Sequence, residues 1–136
     1  MLDRSFHLEI RTPEQLIYEG DVTSLHAPGV EGNFQILIGH IPFLTALDVG
    51  EIRIRESSET SQLMATSGGV FEVLRTGVTV LVETAEWASE IDVERAESAL
   101  ARAQTQLKAN APDLNRPRAE AALARAQNRI KVASNL

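Results

Sequence analysis

Cysteine is absent from the 136 residues, which removes disulfides, thiolate metal sites and cysteine nucleophiles together. Aromatic residues are scarce at 4% (four Phe, one Trp, one Tyr), and all six precede residue 88. The rest of the chain therefore offers no ring on which a nucleic-acid base could stack. Positive charge is the minority sign, with 13 Lys/Arg against 19 Asp/Glu and a net charge of −6, which disfavours nucleic acid as a partner. No apolar run approaches the roughly 20 residues that cross a bilayer as a helix. The opening segment, Met1 to Ser5, has no signal- or transit-peptide pattern, and an intracellular protein is expected. Walker-type glycine loops, G-x-S-x-G and G-x-G-x-x-G are also missing, so no motif points to an independent enzyme.

What is present divides sharply. The apolar fraction of 43% argues for a folded chain, of a size for one domain, or one small domain plus an appendage, with a compact surface of about 7,000 Å². All eight glycines lie between Gly20 and Gly77, whereas residues 91–136 hold twelve alanines and no glycine. Residues 1–90 carry five Lys/Arg against fourteen Asp/Glu, a balance of −9. Residues 91–136 carry eight against five, a balance of +3. An acidic Gly-containing half and a basic Ala-rich half imply two architectures and different partners.

Residues 1–87 read as an all-β unit. Phe6, Leu8 and Ile10 alternate with His7, Glu9 and Arg11, the period of a half-buried strand. Thr12-Pro13-Glu14 supplies a turn before a long strand-like run, Leu16 to Ala27. Phe34 to Ile38 is apolar enough to be buried on both faces. Ile52 and Ile54 alternate with Arg53 and Arg55, and Leu63 to Thr66, Val70 to Leu74 and Val78 to Val82 follow. Short strands separated by turns at this spacing indicate a sandwich or barrel.

Residues 88–136 read as an antiparallel two-helix hairpin built on a repeat. The segment Ile91 to Gln104 aligns with Leu114 to Gln127, most positions being identical and rich in strong helix formers. Ser89 with Asp92 resembles a capping box, Pro112 marks the turn, and Asn115 before Pro117 fits a cap followed by a first-turn proline. Val93, Ala96, Leu100, Ala103 and Leu107 form one narrow stripe, and Ala119, Leu123, Ala126, Ile130 and Ala133 the other. With so few bulky residues the hairpin should be marginal alone and depend on docking.

Arg95, Arg102, Arg118, Arg125 and Arg129 each precede a stripe position by one, so they flank the seam on one side. Composition leaves two readings open. Guanidinium groups gathered on closure would clamp a polyphosphate, or the arginines, with Glu94, Glu97 and Glu120 nearby, form a solvated face. Other candidates are weaker. His7, His26 and His40 are scattered without metal-ligand spacing, and Glu83 and Glu86 read as surface carboxylates before acid–base groups. No catalytic residue and no metal ligand is assigned.

The block Pro28-Gly29-Val30-Glu31-Gly32-Asn33-Phe34-Gln35-Ile36-Leu37-Ile38-Gly39-His40-Ile41-Pro42-Phe43-Leu44 resembles the signature of the epsilon subunit of bacterial F-type ATP synthases. Ser67-Gly68-Gly69-Val70-Phe71-Glu72-Val73 and Val78-Thr79-Val80-Leu81 match it in the same order. Two positions depart from the usual pattern, Gln35 standing for Gly and Ile38 for Pro.

The resemblance implies a fold of about ten β-strands in a sandwich followed by the helical hairpin, and a non-catalytic central-stalk rotor subunit. Its implied partners are the gamma subunit, the c-ring (met near Glu31, Gly32, Asn33, Phe34 and His40) and the beta and alpha subunits, which the basic hairpin would reach to inhibit ATP hydrolysis. Location would be the cytoplasmic face of the bacterial plasma membrane, peripheral and through the complex only. The family motif I/L-D-x-x-R-A stands here as Ile91-Asp92-Val93-Glu94-Arg95-Ala96. Carried over residue by residue, it implies a regulatory ATP site of Glu86, Ile91, Asp92, Arg95, Ala96, Arg102, Arg125 and Arg129, with no required cofactor. That favours the polyphosphate reading of the arginines. The alternatives are the same adaptor with an ATP-insensitive hairpin, or an unrelated β-sandwich interaction module with a helical tail.

Overall fold

The computed structural model describes residues 5–37, 42–57 and 59–136. Ten strands come first: β1 (Phe6–Arg11), β2 (Leu16–Val22), β3 (Ser24–Gly29), β4 (Gly32–Ile36) and β5 (Phe43–Leu47). They continue as β6 (Gly50–Arg55), β7 (Ser61–Thr66), β8 (Gly69–Leu74), β9 (Gly77–Val82) and β10 (Ala85–Trp87). A 3₁₀ turn (Ala88–Glu90) then leads to α1 (Val93–Ala109) and α2 (Arg116–Ser134). The expected β-sandwich followed by two helices is the architecture found. Neither helix is long and apolar enough to cross a membrane.

The strands follow the order β10-β7-β6-β3-β5-β8-β9-β1-β2, with β4 on the free side of β3. Pairing is antiparallel except between β1 and β9, where Leu8 lies beside Val78 and Ile10 beside Val80. Alternation then does the sorting. Leu8 and Ile10 of β1, Phe71 of β8 and Val80 of β9 meet Leu25, Ile52, Ile54 and Met64 of β3, β6 and β7 in one closed core. Phe34, Phe43 and Phe71 close one end of it, with ring centroids 5.0 to 6.2 Å apart.

Gly69 shows why the Gly68-Gly69 pair is needed. Any Cβ there would run into the Leu81 carbonyl of β9, and Gly68 itself takes a φ of +119°. The pair is a strand entry, with the Gly68 amide donating to Thr66 Oγ1 at 3.2 Å.

Strand β7 is buried on both faces, because Leu63 and Ala65 point away from the core into a second cluster. There they meet Ala88, Ile91 and Val132, so α2 lies on the sheet while α1 packs on α2. The helices approach closely through Ala96 and Ala103 of α1 and Ala119 and Ala126 of α2, all buried. These are equivalent positions of the repeat. The accessible surface is 8617 Å², above the roughly 7,000 Å² expected of a compact chain this size.

Several local expectations change. The run Leu16 to Ala27 is two strands, broken at Thr23, whose hydroxyl donates to the Arg55 carbonyl at 3.0 Å. Strand β4 buries only Ile36 fully; Gln35 and Leu37 are exposed, so the segment from Phe34 is half-buried and the Gln35 side chain has room. Ile38 and His40 lie outside the described residues. Ser89 belongs to the 3₁₀ turn, and the cap of α1 is Asp92, whose Oδ1 accepts from the Arg95 amide at 3.1 Å. Asn115 caps α2 as expected, accepting from the Arg118 amide at 3.2 Å. Val93, assigned to the seam, is 38% exposed, while Val132, outside both stripes, is fully buried against the sheet.

Candidate functional site

The hairpin leaves a cleft of about 550 Å³ where both helices face the ends of β7 and β10. Its helical side is lined by Ala99, Ala103, Ala122 and Ala126, whose small side chains create the room. Thr66, Ser67 and Thr84 contribute hydroxyls from the sheet, and Thr84 Oγ1 donates to Ser67 Oγ at 2.7 Å.

Three arginines line this space, Arg102 of α1 and Arg125 and Arg129 of α2. One carboxylate, Glu86 of β10, faces them and holds Arg129 in a fork, Nε to Oε1 at 2.8 Å and Nη2 to Oε2 at 3.0 Å. The Glu86 hydrogen bonds raise the Arg129 pKa above its ordinary value; partial burial opposes this, and the charges of Glu86 and Asp92 add to it. Arg102 and Arg125 form no ion pair among the described residues. A cleft with two uncompensated guanidiniums suits a multiply charged anion, because a planar fork matches phosphate oxygens two at a time.

Of the eight residues expected at an ATP site, Glu86, Arg102, Arg125 and Arg129 line the cleft. Of the other four, three have structural tasks beside it. Ile91 is buried in the second cluster, Asp92 caps α1, and Ala96 is fully buried beneath the first turn. Arg95 is exposed on that turn. Glu31, Gly32 and Asn33 form the exposed tip of the β3–β4 hairpin, where Gly32 takes a φ of +134° opposite Gly29. Phe34 turns inward onto Phe71, and His40 is outside the described residues.

Asn128 escaped the sequence reading. Its Nδ2 donates to the Gly50 carbonyl at 2.8 Å and reaches the Thr66 carbonyl at 3.4 Å, two residues that face each other across β6 and β7. Seven positions on, Asn135 Nδ2 donates to Glu51 Oε1 at 3.0 Å. With Val132 between them, these residues form the strip by which α2 grips the sheet. The available signal was two asparagines at helical spacing around a lone Val in an alanine-rich helix.

Family models place this arrangement. Residues 5–88 match the ATP synthase delta/epsilon chain β-sandwich domain, and residues 89–134 match the long α-helix domain of the same chains. The chain belongs to that family. An ATP synthase epsilon chain from Syntrophomonas wolfei is 41% identical over 115 residues, 85% of this chain and 84% of the relative. One from Citrifermentans bemidjiense is 48% identical over 106 residues, 78% of this chain and 76% of the relative. A chain of the Euglena gracilis mitochondrial ATP synthase shares the fold, with a TM-score of 0.83 at 22% identity over 100% of this chain and 84% of that one. A chain from the central stalk and c-ring of the Tetrahymena thermophila enzyme superposes at 0.58 with 19% identity, over 96% and 94% of the two chains. The resemblance read from the glycine-histidine block is borne out, and the unrelated interaction module is ruled out. Membership makes this a non-catalytic stalk chain of the ATP synthase.

Proposed function

We propose that this family member is a rotor adaptor whose helical hairpin is an ATP-gated brake on hydrolysis. The sandwich joins gamma to the c-ring, with the tip at Glu31 to Phe34 toward the ring. The complex lies at the cytoplasmic face of the bacterial plasma membrane, and this chain meets the membrane only through it. The observation that carries the ATP reading is the cleft that Arg102 and Arg125, from different helices, both line while Glu86 is committed to Arg129. Such charges oppose closure of the hairpin unless an anion joins them.

In this reading Arg102 and Arg125 take the phosphates, and Glu86 accepts a hydrogen bond from base or ribose. Ile91, Asp92, Arg95 and Ala96 set the start of α1 against the sheet. ATP then stabilises the docked hairpin. At a hundred times its dissociation constant a ligand shifts such an equilibrium by about 2.7 kcal/mol, enough to decide the state of an arm held by one helix face. When ATP is scarce the arm is released, and its basic helices reach acidic segments of the beta and alpha subunits.

A second reading has its own support. Asp92, Ile91 and Ala96 already serve the helix start, and Glu86 already neutralises Arg129, so the motif has structural uses without nucleotide. The adaptor would then carry an ATP-insensitive hairpin. Calorimetric titration of the chain with ATP separates the two. Saturable binding weakened by Arg125→Ala supports the brake gated by ATP; no binding in the millimolar range leaves the insensitive arm.

A further inference from the structure

A second cleft, of about 560 Å³, opens between α2 and the outer face of β3 and β6, and Asn128 lines both clefts. Strand alternation supplies its chemistry: Ile52 and Ile54 go to the core, so Arg53 and Arg55 turn outward beneath the helix. Lys131 of α2 faces the same space. The one carboxylate among its described lining residues, Glu51, is already engaged, accepting from Arg53 Nη2 at 3.4 Å and from Asn135 Nδ2 at 3.0 Å. Arg55 and Lys131 form no ion pair among the described residues. His26 of β3 also lines the cleft, although its Nδ1, which has no hydrogen-bond partner among the described residues, is closed off from the open space.

We propose that this second cleft is a site for a small phosphate-bearing anion, and that its occupant holds the hairpin on the sandwich. Guanidinium forks beside an ammonium are the groups that recognise phosphate oxygens, and the volume exceeds what a single phosphate group fills. Docking α2 brings Lys131 toward the arginines of β6, a like-charge approach that an anion converts into attraction. The walls come from β6 and α2 together, so the site is complete only in the docked state. Its occupant therefore stabilises that state by mass action. A ligand of the first cleft that needs the docked state then gains affinity through the shared conformation, without direct contact, and the coupling is reciprocal. The assignment stands whether or not the first cleft takes ATP.

The test is a titration of the full chain with inorganic pyrophosphate, followed by amide resonances and by hydrogen exchange along α2. The Arg125→Ala background weakens the first cleft, so that binding there does not mask the second. Saturable shifts at Arg53, Arg55 and Lys131, with slower exchange in α2, are expected. Lys131→Gln, at an exposed helix position, should weaken binding about tenfold or more while keeping the helical spectrum. Shifts confined to the first cleft, or shifts that never saturate, overturn the site. Saturation with unchanged exchange overturns the holding role. Loss of ATP binding by Arg125→Ala with pyrophosphate binding intact would separate this site from the nucleotide reading.

Discussion

Glu86 on β10 grips Arg129 on α2 with two parallel hydrogen bonds of 2.8 and 3.0 Å, spanning 43 positions of sequence. The pair ties the last strand of the sandwich to the second helix at the mouth of the arginine-lined cleft. It also leaves Arg102 and Arg125 as the uncompensated charges there.

Removing one partner strands the other. Both side chains are partly shielded, at 26% and 34% exposure, so Arg129→Ala should weaken docking of α2 by about 1–2 kcal/mol. Hydrogen exchange in α2 should then quicken about five- to thirtyfold. Arg129→Lys keeps the charge and loses the fork, so it should fall between. The raised Arg129 pKa makes this stabilisation fully present below the ordinary arginine value and lost only as pH rises through the raised one. The contribution of Arg129 is therefore constant across neutral pH. Unchanged exchange in Arg129→Ala would refute a docking role for the pair.

How far the sequence carried the reading depended on the kind of force. Strand alternation and turn glycines made the sandwich legible, because each acts within a few residues. The hairpin was legible from its repeat and from Asn115. The docking face was not. Val132 lies off the seam, and its burial comes from Leu63 and Ala65 of β7, a contact across the chain that helical periodicity does not encode. Arginine spacing marked Arg102, Arg125 and Arg129 as neighbours, yet it also marked Arg95 and Arg118, which lie outside that cleft. Only the sheet position of Glu86 distinguishes them.

The same contrast gives a paired stability test. Val132 is fully buried and Val93 is 38% exposed. Val132→Ala removes two buried carbons and leaves a cavity, for about 2 kcal/mol. Val93→Ala should stay within about 0.5 kcal/mol, as surface substitutions do. Thermal unfolding of the two variants measures both. Equal destabilisation would mean that burial of Val132 against the sheet does not anchor the hairpin.

On the opposite edge of the sheet, His7 lies between Glu19, 3.0 Å from Nε2, and Asp21, 3.4 Å from Nδ1. The Glu19 hydrogen bond, with help from Asp21, raises its pKa above the ordinary 6.5. A group raised in the folded state contributes stability that is fully present below the unfolded value and is lost as pH rises through the folded one. Pairing of β1 with β2 should therefore loosen slightly as pH climbs past 6.5 and through the raised value. Ring resonances of His7 followed against pH give the midpoint directly, and Glu19→Gln should lower it. A midpoint at or below 6.5 in the native chain contradicts the arrangement.

The proposed brake makes a prediction in the assembled enzyme. The main core, from Leu8 and Ile10 to Phe71 and Val80, is closed without any helical residue. Deleting residues 91–136 uncovers only the second cluster, chiefly Leu63 and Ala65. The sandwich should stay folded and incorporated, at some loss of stability from that newly wetted face of β7. If the basic helices restrain the motor by reaching the beta and alpha subunits, ATP hydrolysis by the truncated complex should rise. It should also lose any dependence on ATP that comes from docking of the arm. Comparing hydrolysis rates at equal occupancy of the subunit decides the matter: normal incorporation with an unchanged rate would leave the sandwich as an adaptor and the hairpin without a braking role.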